Sequence, residues 1–252
     1  MATADPCGMG RISLALAFAL LLSGCLEVEQ TVTLEKDGSG SQALVMTAPE
    51  ATLNAVRMAA SVNQTSASSD PTALFVKEKV EAELTAAGLQ LARHETTEIG
   101  TSRKVDLQVG FAAPSQLRQS PLIGSLAEWH FGKGPVADTI EVTLFPQGKK
   151  AWEEARAKAE AMKEKSDPVA SEFFARRREQ LTGLDVTFRL RLPGKVLRYT
   201  ANLEQTGECE VTAKITAEQI KTPEDLVRRL APRYQAVFDA RECPAFPIDG
   251  SD

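Results

Sequence analysis

The stretch Leu22–Thr47, LSGCLEVEQTVTLEKDGSGSQALVMT, changes character at Cys25. From Leu26 onward apolar and polar residues alternate. Leu26, Val28, Val32 and Leu34 fall on one face, and Glu27, Glu29, Thr31, Thr33 and Glu35 on the other, with only Gln30 interrupting the apolar side. A period of two predicts a strand with one buried face. Asp37-Gly38 is a turn signal and SQALVMT returns as a second strand, so the stretch reads as a β-hairpin. That hairpin begins directly at the cysteine, with no linker before it.

What precedes the cysteine reads as an export signal. Arg11 supplies a positive start, and Ile12 to Leu22 is an uncharged run of eleven residues. A bilayer-spanning helix needs about 20 apolar residues, so this run has the length of a signal-peptide core instead. Leu22-Ser23-Gly24-Cys25 resembles the lipobox of bacterial lipoproteins. There the cysteine thiol takes a diacylglyceryl group through a thioether, and small residues before it admit the peptidase that cuts between Gly24 and Cys25. Residues 1–24 are therefore expected to leave as a signal peptide, and 25–252 to form the mature, membrane-anchored chain. Each buried acyl methylene contributes about 0.8 kcal/mol, so two or three chains give a stable anchor without a transmembrane helix. Leu26 is not the aspartate that retains enterobacterial lipoproteins at the inner membrane. In an organism with two membranes the expectation is the outer one, facing the periplasm.

The net charge is −5, which argues against general nucleic-acid binding. Of four cysteines, Cys7 leaves with the signal and Cys25 carries lipid, leaving Cys209 and Cys243 in an oxidising compartment. A disulfide between them is the economical expectation, worth about 4 kcal/mol in the loop-entropy account. Metal binding is the rival, but two thiols with only His94 and His130 elsewhere make a poor zinc site.

Along the chain, helices are predicted over Pro49–Val62 and Ala73–Ala87, the second with Phe75, Val76, Val80 and Leu84 as its apolar side and Gly88 as its stop. The polar loop Asn63–Thr72 between them marks a possible sub-division. Strands are expected around Leu89–Thr96, Lys104–Phe111 and DTIEVTLFP, the last with Ile140, Val142 and Leu144 inward. A short helix within Ala113–Phe131 should lead into another strand. Lys149–Lys165 reads as a charged helix with a narrow stripe of Trp152, Ala155, Ala159 and Met162, and a further helix uses Val169, Phe173, Phe174 and Leu181. LDVTFRLRLPGKV directs Val186, Phe188, Leu190 and Leu192 inward and turns at Pro193-Gly194. LRYTANL and CEVTAKI are predicted to pair across EQTG, and a last helix opens at TPED, capped by Thr222 and kinked by Pro232. Strands interspersed singly and in pairs among helices indicate an α+β fold with antiparallel sheets rather than a wound parallel one.

The lipobox, the immediate VEQTVTLEKDGSGS hairpin and the LPGKV corner at Leu192–Val196 together resemble the LppM-like group of bacterial envelope lipoproteins. The resemblance implies an envelope-exposed α+β domain with affinity for lipid head groups, and neither an enzyme nor catalytic residues.

A search for chemistry in the residues themselves finds no G-x-S-x-G elbow, Walker loop or H-E-x-x-H pair, and no cofactor motif. His94 and His130 read as structural strand residues, and Glu27 and Glu29 as a solvated strand face. One basic pattern stands out in this acidic chain: Arg176, Arg177 and Arg178, followed by Arg189, Arg191, Lys195 and Arg198. Beside a membrane it could contact anionic head groups, at about 1 kcal/mol per well-placed cation. The weightier reading is a solvated face neutralised by glutamates, such as those of the preceding helix. The sequence thus points to a lipid-anchored, non-catalytic module that binds lipid or a hydrophobic ligand at the membrane surface, or to an assembly partner of another envelope protein.

Overall fold

A computed structural model describes residues 26–54, 71–120, 122, 128–146, 181–222, 225 and 233–249, with scattered positions between 150 and 160. Eleven strands occur among them: β1 Glu27–Leu34, β2 Gly40–Pro49, β3 Gln90–Ile99, β4 Ser102–Phe111, β5 Trp129–Lys133, β6 Thr139–Leu144, β7 Asp185–Arg191, β8 Val196–Tyr199, β9 Glu204–Gly207, β10 Glu210–Thr216 and β11 Tyr234–Asp239. They form a seven-stranded sheet, β3-β4-β2-β1-β7-β10-β9, and a four-stranded sheet, β5-β6-β11-β8. The fold is α+β, mostly strands with few helices.

The opening hairpin forms as the alternation requires. Val32 and Leu34 are buried while Glu27 and Glu29 on the opposite face are not. The turn is set by Asp37, whose Oδ1 accepts from the Ser39 N–H at 2.9 Å and the Ser39 hydroxyl at 2.6 Å, and by Gly38 at φ +84°. A left-handed residue there favours glycine because it has no Cβ to clash. Gln30, the interruption on the apolar face, has its amide satisfied: Nε2 donates to the Leu122 carbonyl at 3.3 Å. The neighbouring strands are antiparallel with one exception. β1 pairs in parallel with β7, Glu27 opposite Asp185 and Thr33 opposite Arg191. Strands from both sides of the polar loop 63–72 share this sheet, since β2 pairs with β4 along its whole length.

The two sheets enclose one hydrophobic core. Phe188 of β7 stacks on Tyr234 of β11 with centroids 5.6 Å apart. The LPGKV corner carries the chain from one sheet to the other. Leu192 N–H donates to the Cys209 carbonyl at 2.8 Å, and Val196 N–H to that of Glu208 at 2.9 Å, stitching the corner to the β9–β10 turn.

Several expectations are corrected. The chain over Ala73–Ala87 is not one helix: Pro71–Phe75 is a 3-10 turn, Val76 is extended and exposed, and the α-helix runs Lys77–Ala86 with Val80 and Leu84 buried. EQTG is not the loop of the terminal hairpin but a strand of it, β9, pairing with β10 across Glu208-Cys209. LRYTANL instead contributes β8, which pairs with β11 in the other sheet. The last helix does not continue beyond Pro232 as a kink there implies: Tyr234–Asp239 is strand β11. Its start is capped as expected: Thr222 Oγ1 accepts from the Asp225 N–H at 3.1 Å, and Asp225 Oδ2 accepts from the N–H groups of Lys221 and Thr222. Residues 50–54 are helical, as are the described positions between 150 and 160, which face solvent. The rest of Pro49–Val62, the stripe Trp152, Ala155, Ala159 and Met162, the helix using Val169, Phe173 and Phe174, and Pro232 lie outside the described residues.

Candidate functional site

The described chain opens at Leu26, immediately before β1. Leu26 is 3% exposed, and its carbonyl accepts the Asp185 N–H at 2.9 Å. Gly24 and Cys25 lie outside the described residues. Consecutive Cα atoms are 3.8 Å apart, so covalent geometry alone places Cys25 one step from a core residue. The same end of the large sheet carries the end of β2, the β3–β4 turn, the start of β7 and the end of β10, because Glu27 is level with Thr47 and Asp185, Thr47 with Lys104, Lys104 with Thr97, and Asp185 with Thr216.

The basic side chains do not gather there. Arg176, Arg177 and Arg178 lie outside the described residues. Arg189 Nη1 is 3.5 Å from Glu29 Oε2, Arg191 Nε donates to Glu210 Oε2 at 2.7 Å, and Lys195 Nζ is 3.5 Å from Glu208 Oε1. For these three described cations the neutralising glutamates come from strands and a turn. The Arg191 hydrogen bond, helped by one from Thr206, holds the Glu210 carboxyl below its ordinary pKa. Arg191 is level with Thr33, six residues along β1 from Glu27, or about 20 Å at a strand's rise of roughly 3.3 Å per residue. Arg198 is exposed on β8, in the other sheet. The four described cations are thus spread over two sheets, and Arg191 and Lys195 sit at the end away from Leu26.

The expected disulfide is absent: Cys209 and Cys243 are both free, Cys209 half-buried in the β9–β10 turn and Cys243 buried. Burial pushes the Cys243 thiol above its ordinary pKa. The C-terminal segment is held by packing and polar contacts instead. Phe246 packs against Phe131 and Phe238, each at 5.7 Å, and Lys36 pairs with Glu242. Asp249 then clips onto the edge of β5. Its N–H donates to the Phe131 carbonyl at 2.7 Å, its Oδ2 accepts the Phe131 N–H at 3.0 Å, and Oδ1 pairs with Arg118. Arg118 also donates through Nε to the Trp129 carbonyl at 2.8 Å, and His130 Nδ1 lies 3.4 Å from Asp249 Oδ2.

The clasp of Asp249, Arg118 and His130 is the polar constellation that sequence reasoning missed. Burial raises the Asp249 carboxyl, but the Phe131 N–H, Arg118 and His130 together outweigh it and leave the pKa below the ordinary value. A carboxylate with both oxygens engaged and a lowered pKa is a poor base and a good tie. His94 is likewise structural: Nε2 donates to the Leu74 carbonyl at 3.0 Å, fastening the 3-10 turn to β3.

Between the sheets, Val142, Leu144, Phe188, Leu190, Leu203, Val211, Tyr234, Gln235 and Ala236 line an apolar seam that has no room for a water molecule. Among the described residues, no group of three or more His, Cys, Asp or Glu side chains could hold a metal ion, and no helix is long and apolar enough to cross a membrane. No family model matches the chain, and no curated protein matches it. Among solved structures, the NMR structure of the folded domain of Mycobacterium tuberculosis LppM is similar over 86% of this chain and 91% of that chain, with 9% sequence identity and a TM-score of 0.40.

Proposed function

We propose that this chain is a bacterial envelope lipoprotein, acylated at Cys25, whose domain works at the membrane surface as a non-catalytic binding module. One observation carries the reading: the residue after the lipobox cysteine is already a core residue, and β1 starts at Glu27. A lipid on Cys25 then holds the whole domain against the bilayer rather than on a tether, which suits a protein whose ligands are met at that surface. The seam between the sheets is too tight for a water molecule, so the ligand is taken up at the surface of the domain rather than in that seam. In a cell with two membranes the place is the outer one, on the periplasmic side.

Mass spectrometry of the mature N-terminal peptide tests this reading. A peptide that begins at Cys25 and carries the mass of a diacylglyceryl group is expected, together with release of a Cys25→Ser chain into the soluble fraction. A mature chain that starts elsewhere and fractionates without membrane would refute it. Native mass spectrometry of the unacylated domain tests the surface-uptake part. A co-purified lipid released on denaturation would place the ligand inside, with the sheets parting along the seam.

A further inference from the structure

The register of the large sheet fixes which part of the domain meets the bilayer if Cys25 is anchored there. Glu27, the first residue of β1, is level with Thr47, Thr47 with Lys104 and Lys104 with Thr97, so Glu27 and Thr97 stand at one height. The two positions are three strand spacings apart, roughly 14 Å across the sheet. The β3–β4 turn, Ile99-Gly100-Thr101-Ser102, therefore projects beyond Thr97 at the end of the sheet where the chain enters β1 through Leu26.

That turn has the features of a surface contact. Ile99 is 53% exposed, one of the few large hydrophobic side chains among the described residues that are. Gly100 turns the chain at φ +60°, and a Cβ built on it would meet nothing within 4 Å, so the tip is open. Glu50 N–H donates to the Thr101 carbonyl at 2.9 Å, tying the tip to the end of β2. Behind it lie two cations, Lys104 and Arg103, the latter with its guanidinium 4.5 Å from the centroid of the Phe75 ring. Glu98 stands opposite Arg103. An apolar residue at the tip with cations one strand-step behind matches the order of a membrane interface, acyl region first and head groups next.

We infer that the β3–β4 turn is a second membrane contact, with Ile99 inserted at the acyl boundary beside the lipid on Cys25. The inference rests on the anchoring proposed above. The opposite end of the domain is then turned away from the membrane: the β1–β2 turn, the β5–β6 turn with Val136 at 68% exposure, and the Lys36–Glu242 pair.

The test uses the full acylated chain in phosphatidylethanolamine–phosphatidylglycerol vesicles, with bromine on the acyl chains as a fluorescence quencher. Ile99→Trp and Val136→Trp are compared, each read as the emission added over the unsubstituted chain. Both variants should float with the vesicles, with the added emission blue-shifted and quenched for Ile99→Trp and unquenched for Val136→Trp. If the chains float but the Ile99→Trp emission is unquenched, or both are quenched alike, the turn is not the contact and only this inference falls. If the acylated chain does not float, the anchoring fails and the inference fails with it. Circular dichroism of each variant, compared with the unsubstituted chain, shows that the readout comes from folded protein.

Discussion

At the scale of single residues, two positions show how tightly the ends of the fold are drawn together. Gly194, in the LPGKV corner, lies so close to the end of β11 that a Cβ there would fall 1.9 Å from the Asp239 carbonyl oxygen and 3.4 Å from Phe238 Cδ2. The nearest atom is backbone, which cannot swing away as a side-chain tip could. Gly194→Ala should therefore destabilise the protein by about 3 kcal/mol, whereas Gly132→Ala on β5, with nothing within 4 Å, should stay within about 0.5 kcal/mol. Urea denaturation of both variants checks the contrast. Asp249 makes the second case, through pH. Its carboxyl pKa lies below the ordinary 3.8 in the folded state, so its contribution is fully present above that value and is lost as the pH falls through the folded one. With its side chain about one-third exposed, the contribution is screened to about 1 kcal/mol. Asp249→Asn should lower stability by that amount at neutral pH and flatten the acid limb of the stability profile. An unchanged acid limb would show that the clasp does not act through its charge.

At the scale of elements, the second sheet separates buried from exposed positions sharply. β11 is its hub: Phe238 is 0% exposed and packs on Phe246, while Leu197 on the edge strand β8 is 52% exposed. Phe238→Ala should cost about 4 kcal/mol and Leu197→Ala no more than about 0.5 kcal/mol, both read from thermal or urea unfolding. The same strands mark the limit of what the sequence discloses. β1, β4, β6 and β7 are legible because their apolar residues alternate, although β6 and β7 also bury Thr143 and Thr187 from the other face. β11 buries Ala236, Val237 and Phe238 in succession, so its apolar residues do not alternate, and the helix cap at Thr222 just upstream favours a helix over the same stretch. β9, Glu-Gln-Thr-Gly, buries nothing and reads as a loop. Its identity comes from pairing with β10, which no local pattern encodes. The clasp was hidden for a similar reason, since Arg118 and Asp249 stand 131 residues apart and meet only once β5 is formed.

At the scale of the whole molecule, the question is what holds the domain in one orientation once it is anchored. A half-exposed isoleucine contributes about 1 kcal/mol on insertion, which is too little to hold a protein on a bilayer unaided. Under the proposed arrangement its contact depends on an acyl anchor joined to the start of β1, three strand spacings or roughly 14 Å across the sheet from β3, which keeps the local concentration of bilayer high. Inserting ten Gly and Ser residues between Cys25 and Leu26 removes that proximity without touching the core, because Leu26 and its bond to Asp185 follow the insertion. Such a linker spans roughly 17–19 Å on average, enough for the domain to tumble. The lengthened chain should melt at the same temperature and float with vesicles as before, while the acyl-chain quenching of Ile99→Trp falls towards that of Val136→Trp. Full quenching retained with the linker in place would mean that the turn binds membrane by its own affinity. The lack of any spacer between Cys25 and β1 would then have no part in setting the orientation.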